Sequence, residues 1–349
     1  MRVPDEIRKS VLFIGMKGDL PEWEWKGTGY LIAIPGPTFR FKNTLTNKEG
    51  RTFHGESSYP FMFLATARHV AEKLEGKEFA LRANKLDGSI AILEGHADQK
   101  WWYHPTEKES VDAAVTIFFP PNLRDLDINW VDIGIFADDE IIRNEELGVG
   151  DDVFLTGLFS KVQETSQNIP IVRIGNLAMM PGEKIPFKDG KLIYAYLVES
   201  RSIGGLSGSP VFIRKTIIMQ GYTASGRFLD ARHKPLPANE VVYLTGLGKI
   251  YFLGSMIGHW EAPTGFQMSE NETVNMGISP VVPAHKIKEI IMQAELLEVA
   301  NQMSEKMTAK KHSDAVLDFD EPKKNEKTLS KEDFEEVLKR VSRKKIKSS

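Results

Sequence analysis

The chain has 349 residues, of which 41% are hydrophobic and 27% charged, and its formal net charge is −3. That is enough for one large domain or two ordinary ones with a buried core, and so slight a charge gives no global pull toward nucleic acid or an anionic membrane. Cysteine is absent, which excludes thiolate catalysis and Cys-based zinc sites. With no secretory-type apolar run in residues 1–20 and no stretch near the ~18 apolar residues that span a bilayer, a cytoplasmic location and no membrane contact are expected.

In chain order, short segments rich in Val, Ile, Phe, Tyr and Thr are punctuated by Gly, Pro, Asn and Asp, as strands and turns are. Strands are predicted over 10–16, 28–34 and 62–67, then a helical turn over 70–74 that Gly76 ends. Further strands are predicted over 79–83, 113–118, 132–136, 152–157, 192–198, 210–213, 217–222, 242–247, 251–257 and 277–282. So many strands, with almost no helix before residue 284, predict an all-β barrel or sandwich. From Pro283 the period changes: Ile287, Ile290, Ile291, Leu296, Leu297 and Met303 recur at helical spacing behind a proline suited to a helix start. Residues 308–327 are dominated by Lys, Glu, Asp and Ser and read as a tail. A last helix follows, with Ser330 and Asp333 as a capping box and Phe334, Val337, Leu338 and Val341 on one face. Docking on its own domain is the plain use of that face, and a protein partner is the other.

"GGLSGSPVF" (204–212) places Ser207 in a turn with glycines on both sides, just before a strand. A nucleophilic serine needs such exposure, with backbone N–H groups free for the carbonyl oxygen that becomes negative. A plain Gly/Ser turn between strands would look the same. "FLATARHVAEKL" runs a strand into a helical turn at His69, a rigid place for a general base. The other histidines are scattered, with no pair at helical spacing, so neither metal nor cofactor is expected. "SVDAAVTIFF" and "WVDIGIF" each put an acid, Asp112 or Asp132, at the start of an apolar strand, where it could orient an imidazole. "KWWYHP" (100–105) reads as a core or barrel-edge cluster sooner than as an aromatic binding platform.

Together the three motifs resemble those of the trypsin-like, chymotrypsin-fold serine peptidases. Thr66-Ala67-Arg68-His69, Asp112-Ala113-Ala114-Val115 and Gly205-Leu206-Ser207-Gly208-Ser209-Pro210 stand in that family's order of His, Asp and Ser. Asp112 fits better than Asp132, where Gly134 replaces a small apolar residue. "GTGYLIAI", "GVGDDVFLTGLF", "YFLGSMIGHW" and "MGISPVVPAHKIKEII" extend the likeness over residues 10–295. The resemblance implies two six-stranded antiparallel β-barrels with a C-terminal helix and a charged helical tail. Residues 1–145 would carry His69 and Asp112, residues 146–300 would carry Ser207, and 301–349 would be the tail, with its helix over 331–343.

It also implies a serine endopeptidase acting on a protein or peptide, with His69, Asp112 and Ser207 catalytic and the N–H groups of Gly205 and Ser207 as oxyanion hole. Arg201, Ser202, Ile257, Gly258 and His259 would line the pocket for the residue before the scissile bond. Arg201 or His259 facing that pocket would favour acidic side chains, though Arg201 turned to solvent is the plainer reading. The chain departs from digestive members at Leu206 and Ser209, and it has no Ile-Val-Gly-Gly start, an insertion over 225–240 and the tail after 300. A trypsin-like fold used only to bind peptides is the alternative.

Overall fold

The apolar runs of the first half become antiparallel strands around a short helix. After α1 (Asp5–Arg8) come β1 (Val11–Lys17), β2 (Trp23–Ile34), a hairpin of β3 (Thr38–Thr46) and β4 (Thr52–Ser58), β5 (Phe61–Thr66) and α2 (Arg68–Leu74). Next are β6 (Phe79–Asn84), β7 (Ile90–Gly95), β8 (Trp102–Tyr103), β9 (Ala114–Ile117) and β10 (Val131–Asp132). They form an eight-stranded sheet in the order β7-β6-β1-β2-β5-β9-β8, with β10 parallel to β2 and the β3–β4 hairpin separate. This computed structural model describes residues 3–17, 23–36, 38–46, 52–58, 60–118, 123–159, 166–187, 190–200, 205–215, 249–258, 260–263 and 273–302. The predicted strands over 217–222 and 242–247, the 225–240 insertion, the tail with its 331–343 helix, and Arg201, Ser202 and His259 lie outside those residues.

The second half opens with α3 (Asp139–Asn144), whose N-cap Asp138 accepts a hydrogen bond from the Ile141 N–H. It continues through β11 (Asp152–Gly157), β12 (Ile171–Met179), β13 (Ile185–Pro186), β14 (Leu192–Ile193), β15 (Tyr196–Glu199) and β16 (Pro210–Arg214). β17 (Ile250–Met256), β18 (Glu261–Pro263), β19 (Thr273–Asn275), β20 (Ile278–Pro283) and α4 (Ala284–Ile291) complete it. Six of these strands close a barrel, β11-β12-β15-β20-β17-β16, and β13–β14 and β18–β19 are small pairs beside it. The architecture is thus the mostly β one expected, with a closed six-stranded barrel in the second half and eight strands in the first half's sheet. Both belong to one unit, Met1–Asn301.

Local chemistry explains where the boundaries differ from prediction. The segment over 132–136 is not a full strand, because the Asp132 carboxylate accepts from the Gly134 N–H at 2.7 Å and curls the chain into a 3₁₀ turn. The predicted 192–198 strand breaks into β14 and β15, and the long C-terminal helix pauses at Met292 before resuming over 294–302.

Strand alternation gives each sheet two apolar faces. On β2, Leu31 joins Leu12, Ile14, Met62 and Leu64 in the core of the first sheet. Its neighbours Tyr30 and Ile32 face the other way, with Phe63 and Val115. In the barrel, Val153, Leu155, Val211, Ile213 and Leu253 fill the interior, while Phe154, Phe212 and Phe252 turn outward to meet Tyr30 and Ile32. The rings interlock at this seam, Tyr30 to Phe252 at 5.4 Å and Phe136 to Phe252 at 4.7 Å between centroids. Each such ring, fully buried, stabilises by roughly 1.5–3 kcal/mol. Ile287, Ile290 and Ile291 of α4 close the end of the same core.

A polar clamp adds to the seam. Asn84 on β6 pairs with the backbone of Asn168, its Oδ1 accepting from the Asn168 N–H at 2.6 Å and its Nδ2 donating to the Asn168 carbonyl at 3.0 Å. Asn168 Nδ2 returns a bond to the Arg82 carbonyl at 3.1 Å. Barrel closure depends on close backbone approach at Gly254, where an added methyl would lie 1.8 Å from the Val282 carbonyl oxygen. We expect Gly254→Ala to lower stability by about 1–3 kcal/mol or more, as overpacking does; an unchanged Tm on thermal denaturation would refute that tightness.

Candidate active site

His69 is the second residue of α2, where the chain leaves β5 through Thr66 and Ala67, both buried. The first N–H groups of a helix have no partner within it, and here an acid in the loop before β9 supplies one. Asp112 Oδ1 accepts from the His69 backbone N–H at 2.9 Å, while Oδ2 meets His69 Nδ1 at 2.8 Å. One carboxylate thus grips both the backbone and the ring of His69 and orients the imidazole. With Asp112 ionised, Nδ1 carries the proton and Nε2 keeps its lone pair. Burial by itself would raise the Asp112 carboxyl, but the bonds and charge of His69, the His69 backbone N–H and the charge of Arg68 outweigh it, so its pKa lies below the usual carboxylate range. Asp132 is exposed and caps its own turn, so it has no part in this pair.

The loop before Asp112 is anchored from the second half. Glu107 bridges Lys286 at 2.6 Å and Lys184 at 2.9 Å. His104, a buried side chain, meets Glu289 at 2.6 Å, and the Tyr194 N–H donates to the Ser110 carbonyl at 2.8 Å. Trp101 and Trp102 are likewise buried, so "KWWYHP" is core and not a platform. Hydrogen bonds from Lys286 and Lys184 hold the Glu107 pKa down to about 2. A depressed carboxylate contributes stability that is present above its unfolded pKa and lost as pH falls through the folded one. Stability should therefore drop between about pH 4.5 and pH 2, and Glu107→Gln should be less stable at neutral pH with a shallower acid limb, checked by denaturant unfolding across that range.

Ser207 lies in a turn that the first sheet holds in place. Gly205 and Gly208 both take positive φ, 97° and 83°. A methyl on Gly208 would meet the Thr28 carbonyl at 2.2 Å, Thr66 Oγ1 at 2.4 Å and the Ala67 nitrogen at 3.0 Å. The serine turn is thus pressed against the strand end that carries His69. Leu206, where digestive peptidases carry an acid, is buried in the barrel core and anchors the turn from below. The Ser209 N–H donates to the Leu206 carbonyl at 3.0 Å. Because a trans peptide sets its N–H opposite its C=O, the Ser207 N–H points away from that internal bond. Ser207 Oγ itself donates to the Ile257 carbonyl at 2.9 Å and makes no hydrogen bond to His69. Ile257 is buried just after β17, and no atom of the described residues lies within 4 Å of a methyl built on Gly258.

The role of Thr28 at the site escaped the sequence reading, and it works together with Thr66 of the histidine motif. Thr28 is buried, its N–H donates to the Ser207 carbonyl at 3.2 Å, and its hydroxyl donates to the Gly205 carbonyl at 2.7 Å. The same hydroxyl accepts from the Leu158 N–H at 2.9 Å. Thr66 then donates to the Thr28 carbonyl at 2.7 Å. The visible signal was a threonine between two glycines, Gly27 and Gly29, at the start of an apolar run. Among the described residues, no three His, Cys, Asp or Glu side chains are grouped to hold a metal ion.

No protein-family model and no curated protein matches the chain. Solved structures do. The protease domain of MamO from Magnetospirillum magneticum, in its apo form, is similar over 82% of this chain and 98% of its own, at 13% identity and a TM-score of 0.44. Deg5 matches 59% of this chain and 75% of its own at 17% identity, with a TM-score of 0.34. Rv3671c from M. tuberculosis H37Rv, in the inactive form of a serine-to-alanine mutant, matches 82% and 88% at 13% identity and a TM-score of 0.38.

Proposed function

We propose that this protein is a serine endopeptidase that cleaves peptide bonds through an acyl-enzyme. The observation that carries the reading is the two-point clasp of Asp112 on His69, with the Ser207 turn packed against the same strand end. Ser207 Oγ attacks the scissile carbonyl, His69 Nε2 takes its proton and later returns it to the leaving amine, and Asp112 keeps the ring oriented and supports its cationic form. The N–H groups of Ser207 and Gly205 receive the oxyanion, a contribution on the order of 3 kcal/mol per donor. The carbonyl of Ile257 offers an acceptor to a substrate N–H, and Arg201, Ser202, Gly258 and His259 belong to the specificity pocket in this scheme.

One observation favours the second reading, a trypsin-like fold that only binds peptides: the Ser207 hydroxyl is engaged by Ile257 and not by His69. Catalytic hydrogen bonds often form only once substrate is bound, so both readings are compatible with this contact. A fluorophosphonate probe distinguishes the readings. Wild type should label at Ser207, while Ser207→Ala should not label and His69→Ala should label orders of magnitude more slowly. Asp112→Asn should lose on the order of 10⁴ in turnover by holding the wrong tautomer. Complete absence of labelling in folded wild type would leave the binding module as the function.

A further inference from the structure

We infer that Thr28 is a positioning residue for the nucleophile: it fixes the peptide planes of the Ser207 turn from the opposite sheet. The inference rests on the peptidase reading for its consequence, though not for its geometry. Four carbonyls around the turn are engaged. That of Gly205 accepts from Thr28 Oγ1, that of Leu206 from the Ser209 N–H, that of Ser207 from the Thr28 N–H, and that of Ser209 from the Met256 N–H at 2.9 Å. Two of the four depend on one buried residue of the first sheet.

The chemistry at position 28 is narrow. Its hydroxyl must donate and accept at once, giving its proton to Gly205 O and taking one from Leu158 N–H, which a serine or threonine does and a valine of the same shape does not. There is little room for anything else. A methyl on Gly157 would lie 3.0 Å from Thr28 Oγ1, and Gly208 sits against the Thr28 carbonyl. Thr66, three residues before His69, donates to that carbonyl. A continuous chain of hydrogen bonds thus runs from the strand bearing the base, through Thr28, to both flanks of the nucleophile. Released from Thr28, the Gly205–Leu206 and Ser207–Gly208 planes would be free to turn, and the Leu206–Ser207 plane between them, which carries the Ser207 N–H, would lose its fixed orientation.

The test compares full-length Thr28→Val and Thr28→Ser with wild type by two measurements. The first is amide hydrogen exchange over residues 205–209, which needs no activity. Thr28→Val should exchange at least tenfold faster there than wild type, and Thr28→Ser should stay within a few-fold. The second is the second-order rate of fluorophosphonate labelling, expected to fall 10- to 100-fold in Thr28→Val and to be restored in Thr28→Ser. A distant core variant of matching Tm, Leu81→Ala on β6, should label at the wild-type rate, and an equal loss there would reduce Thr28 to a stability residue and overturn the inference. Should Thr28→Val fail to fold, Thr66→Val, which loosens Thr28 from its far side, carries both measurements. Wild-type exchange and labelling rates in these variants would refute the inference. Faster exchange with no labelling even in wild type would sink the peptidase reading while leaving the Thr28 anchor standing.

Discussion

Alternate residues of β2 and β5 and of β11, β16 and β17 turn apolar faces toward each other, and neither face can remain in water. Tyr30, Phe63, Phe154, Phe212 and Phe252 are almost wholly buried at this seam, and the candidate site sits where it reaches the surface. β5 ends in the Thr66–Ala67 step that delivers His69, and β16 begins one step after the Ser207 turn. Because side chains alternate with a period of two, a one-residue slip of either strand would send its seam residues to the opposite face. The packing that stabilises the fold is therefore also what sets the placement of His69 relative to Ser207.

The polar groups obey the same economy. A carboxylate as buried as Asp112 is costly unless its oxygens are satisfied, and both are taken by one residue, His69. Thr28 serves the Ser207 turn as Asp112 serves His69, each using two hydrogen-bonding atoms to fix two groups. The ion pairs of Glu107 and the contact of His104 with Glu289 extend this rigidity to α4, so that the C-terminal helix braces the loop that carries the acid.

The parts of the site that are chemically unusual were legible in the sequence. Glycines around Ser207, an acid heading an apolar strand at Asp112 and a histidine at a strand-to-helix junction each carry a local signature, and their order carries more. The anchors were not legible, because a buried threonine and a lysine–glutamate pair look ordinary until distant strands meet. β12 was missed for a related reason. Its residues are mostly half-buried or exposed and include Arg173, Gly175 and Asn176, so barrel closure and not side-chain patterning makes it a strand. The turn at Asp132 misled in the opposite direction, since the alternation of "DIGIF" imitates a strand while the Asp132 carboxylate bends it.

The division of the site between two sheets has a consequence for how the protein comes into being. Domains made on a ribosome acquire structure from the N-terminus first, at about 5–20 residues per second. His69 and Asp112 are made before Ser207, but the loop that leads to Asp112 is braced by Lys184, Tyr194, Lys286 and Glu289. The clasp is therefore fully held only once the later chain has folded onto the first sheet. Until the barrel arrives, the nascent sheet bears an uncovered aromatic flank and an unbraced Asp112 loop. The arrangement of His69, Asp112 and Ser207 is thus completed only in the last act of maturation.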